Sequence, residues 1–296
     1  CSRERTMSRL FAFGFGYSAQ ALAPRLTARG WTVAGTARDE SKREALRKSG
    51  YEAAPFSGEA PHGDINRLLG GTTHLLHSIP PESQDDGHGD HVLTHYGEAL
   101  TKLGSLEWIG YLSTVGVYGD QQGRWVAEDA PTKPNSARTE ARVAAEQAWL
   151  DFGARTCVPV HIFRLAGIYG PGRSVFDKLA AGTARRINKQ GQVFSRIHVD
   201  DIATVLDASI ARPRPGAIYN VADDEPAAPG DVVAHAAGMI GVEPPPEIDF
   251  EQADLPPMVR SFYEGSRKIG NARIKSELGV NLRYPTFREG LAALKP

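Results

Sequence analysis

Leu10-Phe11-Ala12-Phe13-Gly14-Phe15-Gly16-Tyr17-Ser18-Ala19 is an apolar run that breaks on two glycines and then opens a helical pattern, Gln20 to Arg29. The spacing Gly14-x-Gly16-x-x-Ala19 is that of a dinucleotide-binding turn with alanine in the third place. Each position has a physical task. Gly14 allows a tight turn out of the strand. Gly16 lacks a Cβ, so the backbone can approach a pyrophosphate. Ala19 is small enough for the helix to pack closely on the strand. The helix start, with Phe15, Tyr17 and Ser18 around it, offers N–H groups and a positive dipole end to phosphate.

The flanks supply the context this motif requires. Arg9 to Phe13 is the first strand, Gly30 closes the helix as a C-cap, and Trp31 to Thr36 is a second strand. The glycines thus sit inside a β-α-β unit. NAD-specific sites place an acid about 20 residues after the first glycine, to bind the ribose hydroxyls. Here that region reads Gly35-Thr36-Ala37-Arg38-Asp39-Glu40-Ser41-Lys42-Arg43, and Arg38 is the first charge past the strand. A guanidinium holds a 2′-phosphate bidentately, and Thr36, Ser41 and Lys42 could add donors. NADP is therefore favoured as cofactor. Asp39 keeps NAD open, and a solvated helix start is the bland alternative for Arg38 to Arg43.

Further strands follow at Tyr51–Phe56, Thr73–Ile79, Trp108–Thr114 (continuing to Gly119), Val158–Leu165, Phe194–Val199 and Ile218–Val221. Helical patterns occupy Ser136–Arg155, Ile202–Ala211, Gly230–Ile240 and Ser266–Leu278. In an open α/β sheet, ligands lie beyond the carboxyl ends of the strands. That places Ser78, Ile79 and Pro80 along the cofactor, and Ser113 and Thr114 where chemistry is expected. The stretch Asp85-Asp86-Gly87-His88-Gly89-Asp90-His91, with His95 four residues on, has the look of a metal cluster. It lacks the Glu of a zinc helix, and Gly/Asp-rich loops before helices are ordinary turn and cap chemistry, so no metal is expected.

Composition sets the outer bounds. The 296 residues suffice for one large domain or two modest ones, and 41% hydrophobic content suffices for a core. Net charge is −1, which gives no electrostatic case for nucleic acid or an anionic membrane as partner. No apolar run approaches the ~18 residues of a membrane span. Cys1 to Arg9 is polar and reads as no signal peptide, with Met7 a candidate natural start. Cys1 and Cys157 are the two cysteines, so no disulfide framework is expected and a cytoplasmic location fits.

Together these segments resemble the extended short-chain dehydrogenase/reductase superfamily, in particular its atypical epimerase/dehydratase-like members. The matching pieces are Gly14-x-Gly16-x-x-Ala19, Ser113-Thr114-x-x-Val117-Tyr118-Gly119, Arg164 to Gly172, His198-Val199-Asp200-Asp201 and Tyr219 to Asp223, with Lys268 and Ala272 to Gly279 as a closing piece. The resemblance implies an α/β fold, a Rossmann-type doubly wound parallel sheet with a small carboxyl-terminal α+β substrate lobe. Residues 1–168, completed by about 196–222, would form the dinucleotide domain. Residues 169–195 and 223–296 would form the lobe, closing over the sheet's carboxyl edge. A homodimer is plausible by the same resemblance.

The family's usual chemistry uses a Ser, a Tyr and a Lys four residues after the Tyr. Ser113, or Thr114 beside it, matches the first. Counting back from Glu146 puts Arg142 at the Lys and Arg138 at the Tyr, and no tyrosine lies in Pro131 to Glu146. A guanidinium stays protonated, with a pKa above about 12, so Arg138 cannot cycle a proton as a phenol does. Arg142 can still donate to the ribose or nicotinamide amide, and Arg138 could stabilise an oxyanion or bind an anionic substrate. Tyr118 is the substitute proton donor to consider first. Tyr169 and His198 are further candidates at strand ends, and Arg164, Tyr169, Arg173, Phe176, His198 and Arg260 fall in segments that line the family's substrate cleft. The expectation is an NADP(H)-binding oxidoreductase-like protein acting on a small carbonyl, hydroxyl or nucleotide-sugar substrate, with an anionic group as an option. The alternatives are a non-catalytic NADP-binding sensor and a nucleotide-sugar epimerase.

Overall fold

The computed structural model describes residues 7–82 and 89–296. Its central element is a seven-stranded sheet. The strands are β1 (Arg9–Phe13), β2 (Thr32–Thr36), β3 (Glu52–Ala54), β4 (His74–His77), β5 (Trp108–Thr114), β6 (Val160–Leu165) and β7 (Ala217–Val221). Their order across the sheet is β7-β6-β5-β4-β1-β2-β3. The sheet is parallel and Rossmann-like, as the glycine turn and its flanks imply. β1 pairs with β2 on one side and β4 on the other, with Phe13 opposite His77. The strand order reverses at β1, so the crevice beyond its carboxyl end is the place this topology reserves for a ligand. Leu10, Phe11, Ala12 and Phe13 are all 0% exposed, because a parallel strand covered by helices buries both faces.

The chain forms two compact units. The first comprises the residues up to Ser113, Ser136–Phe163 and Leu206–Ile218. Its helices include α1 (Tyr17–Thr27), α2 (Glu40–Lys48), α3 (Gly63–Leu69), α4 (His91–Thr101) and α5 (Ala137–Thr156). Its core packs Phe11, Phe13 and Leu75 of the sheet against Tyr96 of α4 and Trp149 and Phe152 of α5. The second unit comprises Thr114–Asn135, Arg164–Val205 and Tyr219–Pro296. It holds three short parallel strand pairs, Gly167–Tyr169 with Arg196–His198, Arg186–Asn188 with Glu247–Asp249, and Trp125–Val126 with Lys268–Ile269. Phe176, Val232, Ala236, Phe287 and Leu291 form one apolar cluster in it, and Ile187, Phe250, Ala253 and Tyr263 another.

Several segments depart from the sequence-based expectation for local reasons. α1 begins at Tyr17, three residues early, because Gly16 itself is the N-cap. The strand ending at Thr114 does not continue to Gly119. Thr114 Oγ1 accepts the Gly116 N–H at 3.1 Å and caps a 3-10 turn over Val115–Tyr118. Ser266 to Leu278 is not one helix: Lys268–Ile269 pairs as a strand, and only Ala272–Leu278 is helical. Asn271 breaks the segment by donating its side chain to the Ala222 carbonyl at 2.9 Å. Asp85 to His88 lie outside the described residues. His95 Nε2 bonds the Gly58 carbonyl at 2.8 Å, and His91 Nε2 lies 3.7 Å from the Glu82 carboxylate. Among the described residues no helix is long and apolar enough to cross a membrane.

Candidate functional site

In the first unit the glycine turn is clamped from two sides. The Gly14 N–H donates to Thr36 Oγ1 at 2.9 Å and the Phe15 N–H to the Thr36 carbonyl at 2.7 Å. Ser78 Oγ donates to the Gly14 carbonyl at 2.6 Å, and the Ser78 N–H to the Phe13 carbonyl at 2.9 Å. Gly14 has φ +79°, and a Cβ there would stand 2.6 Å from Ser78 Oγ. Gly16 differs in kind. Its φ is −92°, open to any residue, and the nearest described atom to an added Cβ is the Gly14 carbonyl oxygen, 3.8 Å away. The protein itself therefore does not require glycine at 16. A ligand lying against the exposed backbone would. α1 has no side-chain cap and no acid in its first turn, so its positive end is left for an anion. The arrangement fits a pyrophosphate.

The other expected cofactor residues fall into two groups. Phe15, Ser18, Ala19 and Thr36 are buried and act through backbone or packing, with the Phe15 ring 5.1 Å from that of Tyr51. Tyr17, Ser78 and Ile79 are partly exposed, and Arg38 and Pro80 exposed. Arg43, not Arg38, builds the turn after β2. It donates to the Ala37 carbonyl at 2.9 Å, to the Arg38 carbonyl and to Glu40. Asp39 is committed to Lys42, 2.9 Å away, which holds its carboxyl below the ordinary value.

At the end of β5 the two hydroxyls diverge. Ser113 is buried and donates to the carboxylate of Glu146, itself 3% exposed. Thr114 is partly exposed, and its oxygen accepts from Gly116. Among the described residues nothing accepts the Thr114 hydroxyl proton. Arg142 donates from Nη1 to the Tyr111 hydroxyl at 3.2 Å and the Leu112 carbonyl at 3.1 Å, with its guanidinium 5.7 Å from the Tyr111 ring centre. Its remaining N–H groups have no acceptor among the described residues. Arg138 is exposed in the first turn of α5.

In the second unit most expected substrate contacts are buried instead. Tyr118 is 0% exposed, donates to Asn220 Oδ1 at 2.7 Å and accepts from Arg164 Nη1 at 2.9 Å. Burial raises its pKa, only partly offset by Arg164. This corrects the expectation for Tyr118: a hydroxyl held on both sides and pushed further from neutrality is a structural group. The same bond occupies Arg164, which is 4% exposed and also lies 4.8 Å from the Tyr118 ring centre. Phe176 belongs to the apolar core. Tyr169 and His198 are buried edge to face at 5.2 Å, and burial raises the phenol and lowers the imidazole pKa. Arg173 is exposed in the turn it closes on Gly170, and Arg260 stacks on Phe250 at 4.5 Å beside Glu251. Sequence reasoning missed Glu146 as a partner for Ser113, using it only as a counting anchor. It also missed Asn220, whose amide gathers Val126, Gly270 and Tyr118.

With this geometry in hand the chain can be compared with known proteins. A family model described as the NAD dependent epimerase/dehydratase family matches residues 97–222. The chain is 29% identical to Protein YeeZ of Escherichia coli (strain K12) over 291 residues, 94% of this chain and 97% of that one. A solved conserved protein of unknown function from Silicibacter pomeroyi DSS is 50% identical and superposes with a TM-score of 0.87 over 98% of both chains. UDP-glucuronic acid 4-epimerase from Bacillus cereus, solved with NAD, shares the fold at a TM-score of 0.75 and 16% identity over 96% of both chains.

Proposed function

We propose that the chain, which is similar to the NAD dependent epimerase/dehydratase family over residues 97–222, is an NADP(H)-dependent oxidoreductase acting on a small carbonyl or hydroxyl substrate. The observation that carries this reading is Gly16. It is an exposed, unstrained backbone position at an uncapped helix start, where glycine serves a ligand and not the fold. A nicotinamide held there would supply or accept the hydride. The chain's own residues bind and orient. Thr36 and Ser78 hold the turn, Arg38 meets the 2′-phosphate, and Arg142 keeps donors for the ribose or carboxamide. Thr114 keeps a hydroxyl proton for a substrate oxygen, whose growing negative charge it stabilises.

A second reading is favoured by one specific observation. Neither residue at the usual Tyr and Lys positions can cycle a proton, and Tyr118 is sealed by Asn220 and Arg164. The chain would then be an NADP-binding sensor without turnover. A nucleotide-sugar epimerase is the weaker alternative. It is supported by the fold shared with the B. cereus enzyme, and opposed by the same missing proton donor.

The NADP assignment is tested by calorimetric titration of NADPH and NADH into the wild type and Arg38→Asp. We expect the variant to lose about tenfold or more in NADPH affinity, the value of one charge-assisted bond, with NADH little changed. Equal loss for both dinucleotides would sink the assignment.

A further inference from the structure

Asp90, 1% exposed, joins three elements of the first unit. One carboxylate oxygen accepts from the Val92 and Leu93 N–H groups at 3.1 and 3.0 Å and caps α4. The other accepts from Trp149 Nε1 of α5 at 3.0 Å and pairs with Nε2 of His77 at 2.8 Å. On the far side of the ring, His77 Nδ1 accepts the Ile79 N–H at 3.4 Å. A ring nitrogen that accepts carries no proton, so the proton of the neutral imidazole sits on Nε2 and is donated to Asp90.

The two nitrogens of His77 thus serve two structures. Nε2 serves the junction of β4, α4 and α5. Nδ1 serves the turn after β4, whose Ser78 hydroxyl braces the Gly14 carbonyl. We propose that His77 is a positioning residue for the dinucleotide. Through Nδ1 and the Ile79 N–H it fixes the Ser78 hydroxyl under Gly14, and so the surface that Gly16 offers to a pyrophosphate. The inference rests on the reading that the glycine turn holds a dinucleotide. The bland alternative is a core histidine that merely satisfies a buried acid.

The two roles separate because two amides each mimic one nitrogen. Asparagine can set its amide oxygen where Nδ1 stands, and glutamine its amide nitrogen where Nε2 stands. His77→Asn keeps the acceptor for Ile79 and strips Asp90 of a donor. His77→Gln does the reverse. We measure thermal midpoints and NADPH and NADH affinities of the full chain in parallel. His77→Asn is expected to lower the midpoint by roughly 5 °C, with NADPH affinity within about twofold of wild type. His77→Gln is expected to keep the midpoint within about 2 °C while losing about tenfold in NADPH affinity. If affinity falls together with the midpoint in both variants, or affinity is kept in both variants, the inference is overturned while the cofactor reading stands. A wild type that binds neither NADPH nor NADH would overturn both.

Discussion

Ser113 and Thr114 are neighbours in sequence with opposite fates, and no pattern in the sequence separates them. A hydroxyl is recruited by whatever carboxylate lies beside it. Glu146, four residues after Arg142 on α5, accepts the hydrogen bond of the Ser113 hydroxyl. Thr114 gives only its lone pair, to Gly116. If the chain turns over, the two alanine variants must differ. Thr114→Ala is expected to lower kcat/KM for NADPH oxidation by roughly 10²-fold, the usual cost of one oxyanion donor, and to lose about 1 kcal/mol of stability with the cap on the Val115–Tyr118 turn. Ser113→Ala leaves the buried Glu146 short of a donor and is expected to cost stability of about 1–3 kcal/mol first. A screen against a panel of carbonyl substrates checks this. Equal activity of Thr114→Ala and wild type would refute the assignment, and no turnover by the wild type on any substrate would favour the sensor. Tyr118 and Arg164 show the complementary failure of sequence reading. Both stand at strand ends in matching motifs, yet they hydrogen-bond each other in the interior.

At the scale of elements, the first residues of the strands carry a row of rings. Trp31 precedes β2, His74 and Trp108 open β4 and β5, and His161 lies in β6. Trp31 lies 4.5 Å from His74, His74 6.3 Å from Trp108, and Trp108 5.7 Å from His161, ring centre to ring centre. Burial lowers His74 and His161 to about 4 from 6.5. Their stabilising share is complete above pH 6.5, where both states are neutral. It is lost as pH falls from 6.5 through 4, because the unfolded chain binds the protons first, at roughly 3 kcal/mol each. His198, also lowered by burial, adds to this trend. Asp223 works in the opposite sense: burial pushes it up to about 8, so its cost grows as pH rises from 3.8 to 8. Asp201, raised by burial, adds to that. Stability is therefore expected to peak near pH 6.5. Urea midpoints between pH 4.5 and 8.5 would show it, with Asp223→Asn removing most of the decline on the alkaline side. A monotonic rise through pH 8 would contradict these shifts.

For the whole molecule, the sheet was legible because its signals are local. Apolar strands, a glycine turn and helical periodicity along one β-α-β unit are enough to imply the parallel order found. The glycine turn was legible for the same reason. What the sequence could not show was pairing across distance, such as Ser113 with Glu146, 33 residues apart, or Tyr118 with Asn220, 102 residues apart. The divisions of the chain are of that kind too. The two compact units interleave three segments each, changing over after Ser113, Asn135, Phe163, Val205 and Ile218, where the resemblance implies a dinucleotide domain of residues 1–168 completed by about 196–222.

Dinucleotide binding is a property of the folded whole, and Gly16 offers a substitution that separates it from folding. Aspartate at 16 meets no described atom closer than 3.8 Å at its Cβ, adopts φ −92° without strain, and is a better N-cap for α1 than glycine. It also puts a negative charge and a side chain where the pyrophosphate would lie. The measurement is the thermal midpoint of wild type and Gly16→Asp, with and without NADPH at about 100 times the wild-type Kd. The wild type should gain about 2.7 kcal/mol, or roughly 5 °C or more, while the variant keeps its unliganded midpoint and gains nothing. An NADPH-induced rise that survives in Gly16→Asp would contradict dinucleotide binding at the glycine turn.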